Sequence, residues 1–153
     1  MKSRVLWCVL FLSTVFSLFG ASEEWLPGPN KNWYINYEEA LEAAKKENKK
    51  IFVLQTGSDW CGYCKQLYRN VLRSSTFRDY ARKNFILVYI DLPRRKNMPQ
   101  DQLNYNRNLV KQLKFGGGVP SVVILDHDGK ESGRISGYLP AKKYMEKLQS
   151  IVN

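Results

Sequence analysis

Apolar residues follow two different spacings along the chain, and the spacing changes several times. Residues 37–44 repeat apolar side chains at helical spacing among Glu and Lys, which predicts an amphipathic helix ending near Asn48. The mostly apolar run at 51–55 and the six consecutive apolar residues at 85–90 are typical of strands that are covered on both faces. The first part of the chain is therefore predicted to alternate between helices and buried strands.

Two shorter helices are predicted between these strands. One opens at residue 61 and continues to about residue 72, with Ser58 or Asp59 as its N-cap. The other follows Ser74 or Ser75, either of which can cap its first turn.

The rest of the chain is predicted to contain a helix beginning near Pro99, a strand at 121–125, a tight turn at 126–129, a returning strand at 130–136 and a last helix with Pro140 in its first turn. Strands that alternate with helices and end in a hairpin predict an α/β fold. We expect a central mixed β-sheet with helices on both faces.

The N-terminal residues have the composition of a secretory signal peptide. Lys2 and Arg4 precede an apolar run of 15 residues, and small residues follow it. That run is shorter than the roughly 20 apolar residues needed to span a bilayer, so we expect cleavage, with an uncleaved membrane anchor as the alternative. The expected organisation is a signal peptide at 1–21, an extended arm at 22–32 and one exported domain, periplasmic or extracellular, at 33–153.

The chain is strongly basic, with 24 Lys and Arg residues against 14 Asp and Glu residues and a formal net charge of +10. Without Lys2 and Arg4 the basic count is 22 and the net charge about +8. Such a charge favours acidic partners or membrane surfaces. Because the basic residues are scattered over predicted helix faces and loops, including 94–96, we expect a solvated surface and no nucleic-acid partner.

Two of the three cysteines are separated by only two residues. Cys8 lies in the predicted signal peptide and would leave with it, whereas Cys61 and Cys64 follow a strand and open a helix. The N-terminus of a helix favours the thiolate at its first cysteine, so Cys61 is the expected nucleophile. Cys64 lies one helical turn further on and can close a disulfide with Cys61, so it is the expected resolving thiol.

Three features resemble the thioredoxin superfamily over nearly all of residues 33–153: Trp60-Cys61-Gly62-Tyr63-Cys64-Lys65, Gly118-Val119-Pro120, and Gly137 after the last strand. The resemblance implies a thioredoxin fold with Cys61 and Cys64 as catalytic residues. It also implies a cis peptide bond at Pro120, against the disulfide, and backbone pairing between Val119 and an extended substrate. The residues implied to border that substrate are Trp60, Gly62, Tyr63, Val119, Pro120 and Gly137.

Some positions depart from the family pattern. Gln55 occupies the place of a buried acid that thioredoxins usually carry, and Gln cannot act as a base. The proton of Cys64 would then pass to water, to a nearby group such as Asp59, or to the leaving thiolate. Cys-Gly-Tyr-Cys resembles the active site of periplasmic disulfide isomerases, so the direction of the redox reaction stays open.

The function expected is that of an exported thiol-disulfide oxidoreductase that acts on cysteine-containing exported proteins, as a monomer and without an organic cofactor. Turnover would involve a membrane partner that donates or accepts thiol electrons. The alternative is a binding module of the same fold, which holds a client or a soft metal such as Cu(I) through its thiolates. A zinc site is not expected, because zinc takes four ligands and only His127 adds to the cysteine pair.

Overall fold

A computed structural model describes residues 32–153, and the predicted signal peptide at 1–21 and the arm up to residue 31 lie outside the described residues. The strands are β1 (Lys50–Thr56), β2 (Phe85–Asp91), β3 (Ser121–Leu125) and β4 (Glu131–Ser136). They form one sheet in the order β2-β1-β3-β4. β1 is parallel to β2 and antiparallel to β3, and β4 is antiparallel to β3, which confirms the mixed sheet.

Helices cover both faces of this sheet. Over the described residues they are α1 (Tyr37–Glu47), α2 (Gly62–Leu67), α3 (Ser75–Asn84), α4 (Gln100–Gln112) and α5 (Ala141–Val152), and α2 runs directly into a π-helical turn, Tyr68–Leu72. The predicted order of helices and strands is confirmed. Between residues 32 and 153, no helix combines the length and the hydropathy needed to cross a membrane.

Several helix ends follow local sequence signals, and one does not. The Asn36 side chain accepts the N–H of Glu39 at the start of α1, and the Ser74 hydroxyl accepts the N–H of Phe77 at the start of α3. The prediction that Pro140 lies in the first turn of α5 is wrong. Its backbone is extended, with ψ of 146°, so Pro140 is the N-cap and the helix begins one residue later.

The core has two layers because successive side chains of a strand point to opposite faces of the sheet. From β1, Phe52 and Leu54 pack with α3, α5 and the π-helical turn, whereas Ile51 and Val53 pack with α1 and α4. Every residue of β1 after the first is buried. With both faces covered and a partner strand on each side, β1 is a fixed support for the residues that follow it.

The chain joins the sheet before its first helix. The N–H of Tyr34 donates to the carbonyl of Leu87 over 2.8 Å, and the carbonyl of Tyr34 accepts the N–H of Tyr89 over 2.8 Å. The preceding residue, Trp33, is buried and meets the rings of Phe52 and Tyr89 edge-on. Residue 33, where the predicted domain starts, therefore belongs to the core.

Phe52 is the aromatic residue whose loss we expect to destabilise the fold most clearly. Its ring lies 5.5 Å from that of Phe77 and 5.7 Å from that of Phe85, and it is completely buried. We predict that Phe52→Ala lowers the free energy of unfolding by about 3–5 kcal/mol, because it removes a buried ring and leaves a cavity. Urea denaturation of the oxidised protein measures the change.

Ile35→Ala is the control, because Ile35 is 39% exposed and its truncation is expected to change the stability by no more than about 0.5 kcal/mol. Phe52→Leu should fall between the two, since it retains part of the buried side chain. Equal effects of Phe52→Ala and Ile35→Ala would contradict the assignment of Phe52 to the centre of this layer.

Candidate active site

The two cysteines form a disulfide where β1 passes into α2. Their Cα atoms are 5.2 Å apart, and only 5% of Cys61 and 6% of Cys64 are exposed. Cys61 is itself the N-cap residue of α2, and its Sγ accepts the N–H of Cys64 over 3.1 Å. The prediction of Ser58 or Asp59 as the cap is therefore wrong, because the side chains of both are bound elsewhere.

The position of Cys61 favours negative charge on its sulfur. The Sγ atom lies at the positive end of α2 and already accepts a backbone N–H, and both effects stabilise a thiolate relative to a thiol. Cys64 lies inside the helix and does not have that position. The two sulfurs are thus electrostatically unequal, with Cys61 the better nucleophile.

Asp59 holds the loop that follows β2. Its carboxylate accepts the N–H groups of Arg94, Arg95 and Lys96 over 2.6 to 3.2 Å. Desolvation acts to raise the pKa of Asp59, but the hydrogen bonds from Arg95, Lys96 and Arg94 outweigh it and lower the pKa to about 2. So weak a base does not suit the removal of the Cys64 proton, which was one expectation for this residue.

Trp60 is fixed by the same loop. Its indole Nε1 donates to the carbonyl of Leu92 over 2.9 Å, and the guanidinium of Arg94 lies 3.8 Å from the centre of the ring. On the inner side, the indole fills the space that a Cβ at Gly57 would need. The residue before the nucleophile is therefore held between β1 and the loop after β2.

Asp91 binds Ser58, the other residue predicted to cap α2. Its carboxylate accepts the N–H of Ser58 over 2.9 Å and the Ser58 hydroxyl over 2.6 Å, and Asp91 is only 7% exposed. Asp91 was not among the residues predicted for the site. An acidic residue directly after six apolar residues was the available signal, because a buried carboxylate at the end of a strand requires hydrogen-bond donors.

A cavity of about 220 Å³ lies behind the resolving cysteine. It is lined by Cys64 together with Thr56, Ser58, Tyr89 and Lys96, among others. Gln55 does not line it, because the alternation along β1 places Gln55 with Ile51 and Val53, towards α1 and α4. Its side-chain oxygen is buried and has no hydrogen-bond partner among residues 32–153. The polar groups near Cys64 therefore come from other residues of the lining, among them Thr56, Ser58, Tyr89 and Lys96.

The loop before β3 closes the other side of the disulfide. The Val119–Pro120 peptide bond is cis, as the resemblance implied, and the carbonyl oxygen of Val119 lies 3.6 Å from the Sγ of Cys61. The N–H of Gly137 donates to the carbonyl of Pro120 over 2.8 Å, and Gly137 has φ of +76°, which favours glycine. A shallow groove of about 140 Å³ runs along residues 116–121 and Gly137.

Tyr63 lies outside the dithiol and is 63% exposed. Its ring stacks on that of Tyr138, with centres 6.4 Å apart and planes 16° apart. The hydroxyl of Tyr138 in turn accepts the side-chain N–H of Asn70 over 2.8 Å. Gly62 is exposed, with free space where a side chain would start. The structure thus gathers all eight residues proposed for the site at the end of the sheet where β1 stops.

Comparisons with known proteins agree with this geometry. Residues 37–151 match the Thioredoxin-like domain family. The chain is 35% identical to the disulfide bond reductase DsbH of Chlamydia pneumoniae, over 79% of this chain and 72% of that protein. It is 30% identical to the thioredoxin-related protein DsbJ of the same organism, over 69% of this chain but only 30% of that longer protein. The solved structure of a DsbH oxidoreductase superposes with a TM-score of 0.72 at 32% identity, covering 82% of this chain and 87% of that one.

The hydrogen bonds of Asp59 to the loop at 94–96 should be lost at acidic pH. A pKa below the ordinary value of 3.8 means that these hydrogen bonds stabilise the loop above about pH 4 and are lost as the pH falls through about 2. We expect the backbone N–H signals of Arg95 and Lys96 in NMR spectra to titrate with a midpoint near pH 2. The N–H of Val53 in β1 monitors global unfolding in the same spectra.

The matched variant is Asp59→Asn, which removes the ionisable group and is expected to abolish this transition at both N–H groups. It should also speed their hydrogen exchange at neutral pH, because an amide accepts these bonds less strongly than a carboxylate does. A midpoint near 3.8 in the unmodified protein would contradict the arrangement.

Proposed function

The chain is a thiol-disulfide oxidoreductase that belongs to the Thioredoxin-like domain family, and we propose that it reduces disulfide bonds in exported proteins. The observation that carries the proposal is the placement of Cys61: its sulfur accepts the N–H of Cys64 at a helix N-terminus and lies beside Val119. The direction is supported by DsbH, which is named a disulfide bond reductase and is 35% identical over most of both chains.

The first step joins the enzyme to its substrate. The Cys61 thiolate attacks one sulfur of a substrate disulfide, a Cys61–substrate disulfide forms, and the second substrate sulfur leaves as a thiolate that takes up a proton. The groove beside Val119 and Pro120 would hold the substrate in an extended conformation. Gly137 at the end of this groove, together with Trp60, Gly62 and Tyr63 around Cys61, would border the same substrate.

The second step releases the product. The Cys64 thiol loses its proton, its thiolate attacks the Sγ of Cys61, and the remaining substrate sulfur leaves as a thiolate. Two electrons have then passed from the dithiol to the substrate, and the Cys61–Cys64 disulfide is the oxidised product. Water or the leaving thiolate would accept this proton, since Gln55 is not at the cavity behind Cys64 and Asp59 is a weak base.

The reaction needs no organic cofactor, because the cysteine pair itself carries both electrons. It does need a source of electrons after each cycle, and in an oxidising compartment we propose a membrane partner that passes them on as thiols. Export is supported by the basic and then apolar N-terminal sequence, with a membrane anchor as the form expected if that segment is retained.

The two cysteines are predicted to differ in how their loss affects the reaction. Cys64→Ser should retain the first step and lose the second, so it should accumulate mixed disulfides with client proteins. Cys61→Ser is the matched control, because it removes the nucleophile and should trap few clients. Non-reducing electrophoresis after incubation with an oxidised model protein measures both, and equal trapping by the two variants would contradict the assigned roles.

The reduction potential of the pair tests the direction of the reaction. We expect a value near that of thioredoxin, about −270 mV, measured by equilibration with glutathione and alkylation of the free thiols. A value above about −180 mV would make the protein an oxidant or isomerase instead. If no reversible disulfide forms at all, the function is that of a binding module.

A further inference from the structure

Four stretches of the chain contain no acidic residue, although Asp59 and Asp91 directly precede two of them and lie beside the dithiol. They are 60–78 with α2, 92–100 after β2, 113–125 before and along β3, and 132–145 along and after β4. Together these parts carry eleven Lys and Arg residues and no Asp or Glu. The net positive charge of the chain therefore lies in these segments, although Lys114 and Arg134 lie near Glu131 and away from the dithiol.

Four of these basic residues lie next to the cysteines, and we call Lys65, Arg94, Arg95 and Lys96 the basic rim. All four are exposed, and their backbones are not free to move away. The N–H groups of the last three are bound to Asp59, and the Nζ of Lys65 donates to the Asp59 carbonyl over 3.2 Å. The rim thus has a fixed position beside Trp60 and Cys61.

The positive charge of the rim is only partly neutralised by the acidic residues around it. Over residues 32–153, none of its four side chains forms an ion pair with a carboxylate. The two nearest acidic residues have other partners: Asp59 accepts three backbone N–H groups, and Asp91 is buried on Ser58. These contacts leave the two negative charges in place, so the rim together with Asp59 and Asp91 carries a net charge of about +2, with the exposed cations outside the buried Asp91 and the half-buried Asp59.

Acidic residues lie at the other end of the sheet. Asp126, Asp128 and Glu131 follow the end of β3, which pairs with the start of β1. The seven residues of β1 separate the two ends by roughly 20 Å. That distance is more than twice the Debye length of about 8 Å at physiological salt, so these three residues contribute little to the field at Cys61, which the rim, Asp59 and Asp91 determine.

We propose that the basic rim docks acidic side chains that flank the reacting disulfide of a partner protein. This inference rests on the proposed function, because it places the partner's disulfide at Cys61. A protein partner is favoured over a lipid surface, since the rim lies beside a nucleophile and the substrate groove at Val119 and Pro120 lies on the other side of the disulfide. Complementary charge acts chiefly on the rate of encounter, and electrostatic steering raises such rates by about 10 to 1,000-fold at low salt.

The test compares three disulfides with the reduced protein in stopped-flow measurements. Two are peptides with the same cystine loop, one flanked by four Glu residues and the other by four Lys residues, and the third is the uncharged hydroxyethyl disulfide. At 20 mM salt we expect the acidic peptide to react at least about tenfold faster than the basic one. The difference should shrink severalfold at 0.5 M salt.

Two charge-matched double variants locate the effect. In Arg95→Gln/Lys96→Gln, the ratio of the acidic-peptide rate to the hydroxyethyl disulfide rate should fall by about three- to tenfold. Lys45→Gln/Lys46→Gln removes the same charge from the last turn of α1, away from the dithiol, and should retain the ratio. Using the ratio cancels any effect of the rim on the Cys61 thiolate itself, since that effect applies to every disulfide.

Equal rates for the acidic and basic peptides, or equal losses in the two double variants, would overturn the docking proposal while reduction of hydroxyethyl disulfide upheld the proposed function. If none of the three disulfides is reduced, the proposed function fails instead. Sedimentation with phosphatidylserine vesicles tests the alternative that the rim binds an anionic lipid surface. Vesicle binding that depends on Arg95 and Lys96, without any preference between the peptides, would assign the rim to a membrane and make the proposal wrong.

Discussion

The burial of β1 on both faces is the constraint on which the rest of this molecule depends. Because helices cover both sides of the strand and β2 and β3 flank it, the end of β1 at Thr56 has a fixed position and direction. Only five residues then lead to the first turn of α2. A short connection from a rigid strand gives the cysteine at the helix terminus little freedom, so the packing of the core sets the geometry of the dithiol.

Two carboxylates convert that connection into an active site. Asp91 binds Ser58 from the adjacent strand, and Asp59 binds the loop after β2, so each makes contacts across more than thirty residues of sequence. Neither carboxylate interacts with a sulfur. They act on the reaction by fixing the turn from Gly57 to Trp60, which directly precedes Cys61 and thereby sets its position.

The sequence was a good guide to whatever depends on local periodicity and a poor one where distant segments meet. Strands β1 and β2, the cap at Ser74 and the cysteine pair follow from the order of residues along short stretches. The cap of α2 did not, because Ser58 and Asp59 have the residue types that cap helices but are already bound to Asp91 and to residues 94–96. A capping preference is local, and here it is overridden by tertiary hydrogen bonds.

The loop at 94–96 shows the same limit for charge. Three consecutive basic residues in a predicted loop are typical of a solvated surface, and their side chains are indeed exposed. What the sequence did not reveal is that Asp59 binds the backbone of this loop and forms no ion pair with its side chains, of which Arg94 stacks on Trp60. Because the Asp59 carboxylate accepts backbone N–H groups, it fixes the loop without forming ion pairs with its cationic side chains. The loop is therefore both fixed in position and still charged, and a surface needs both properties to orient a charged partner over Cys61.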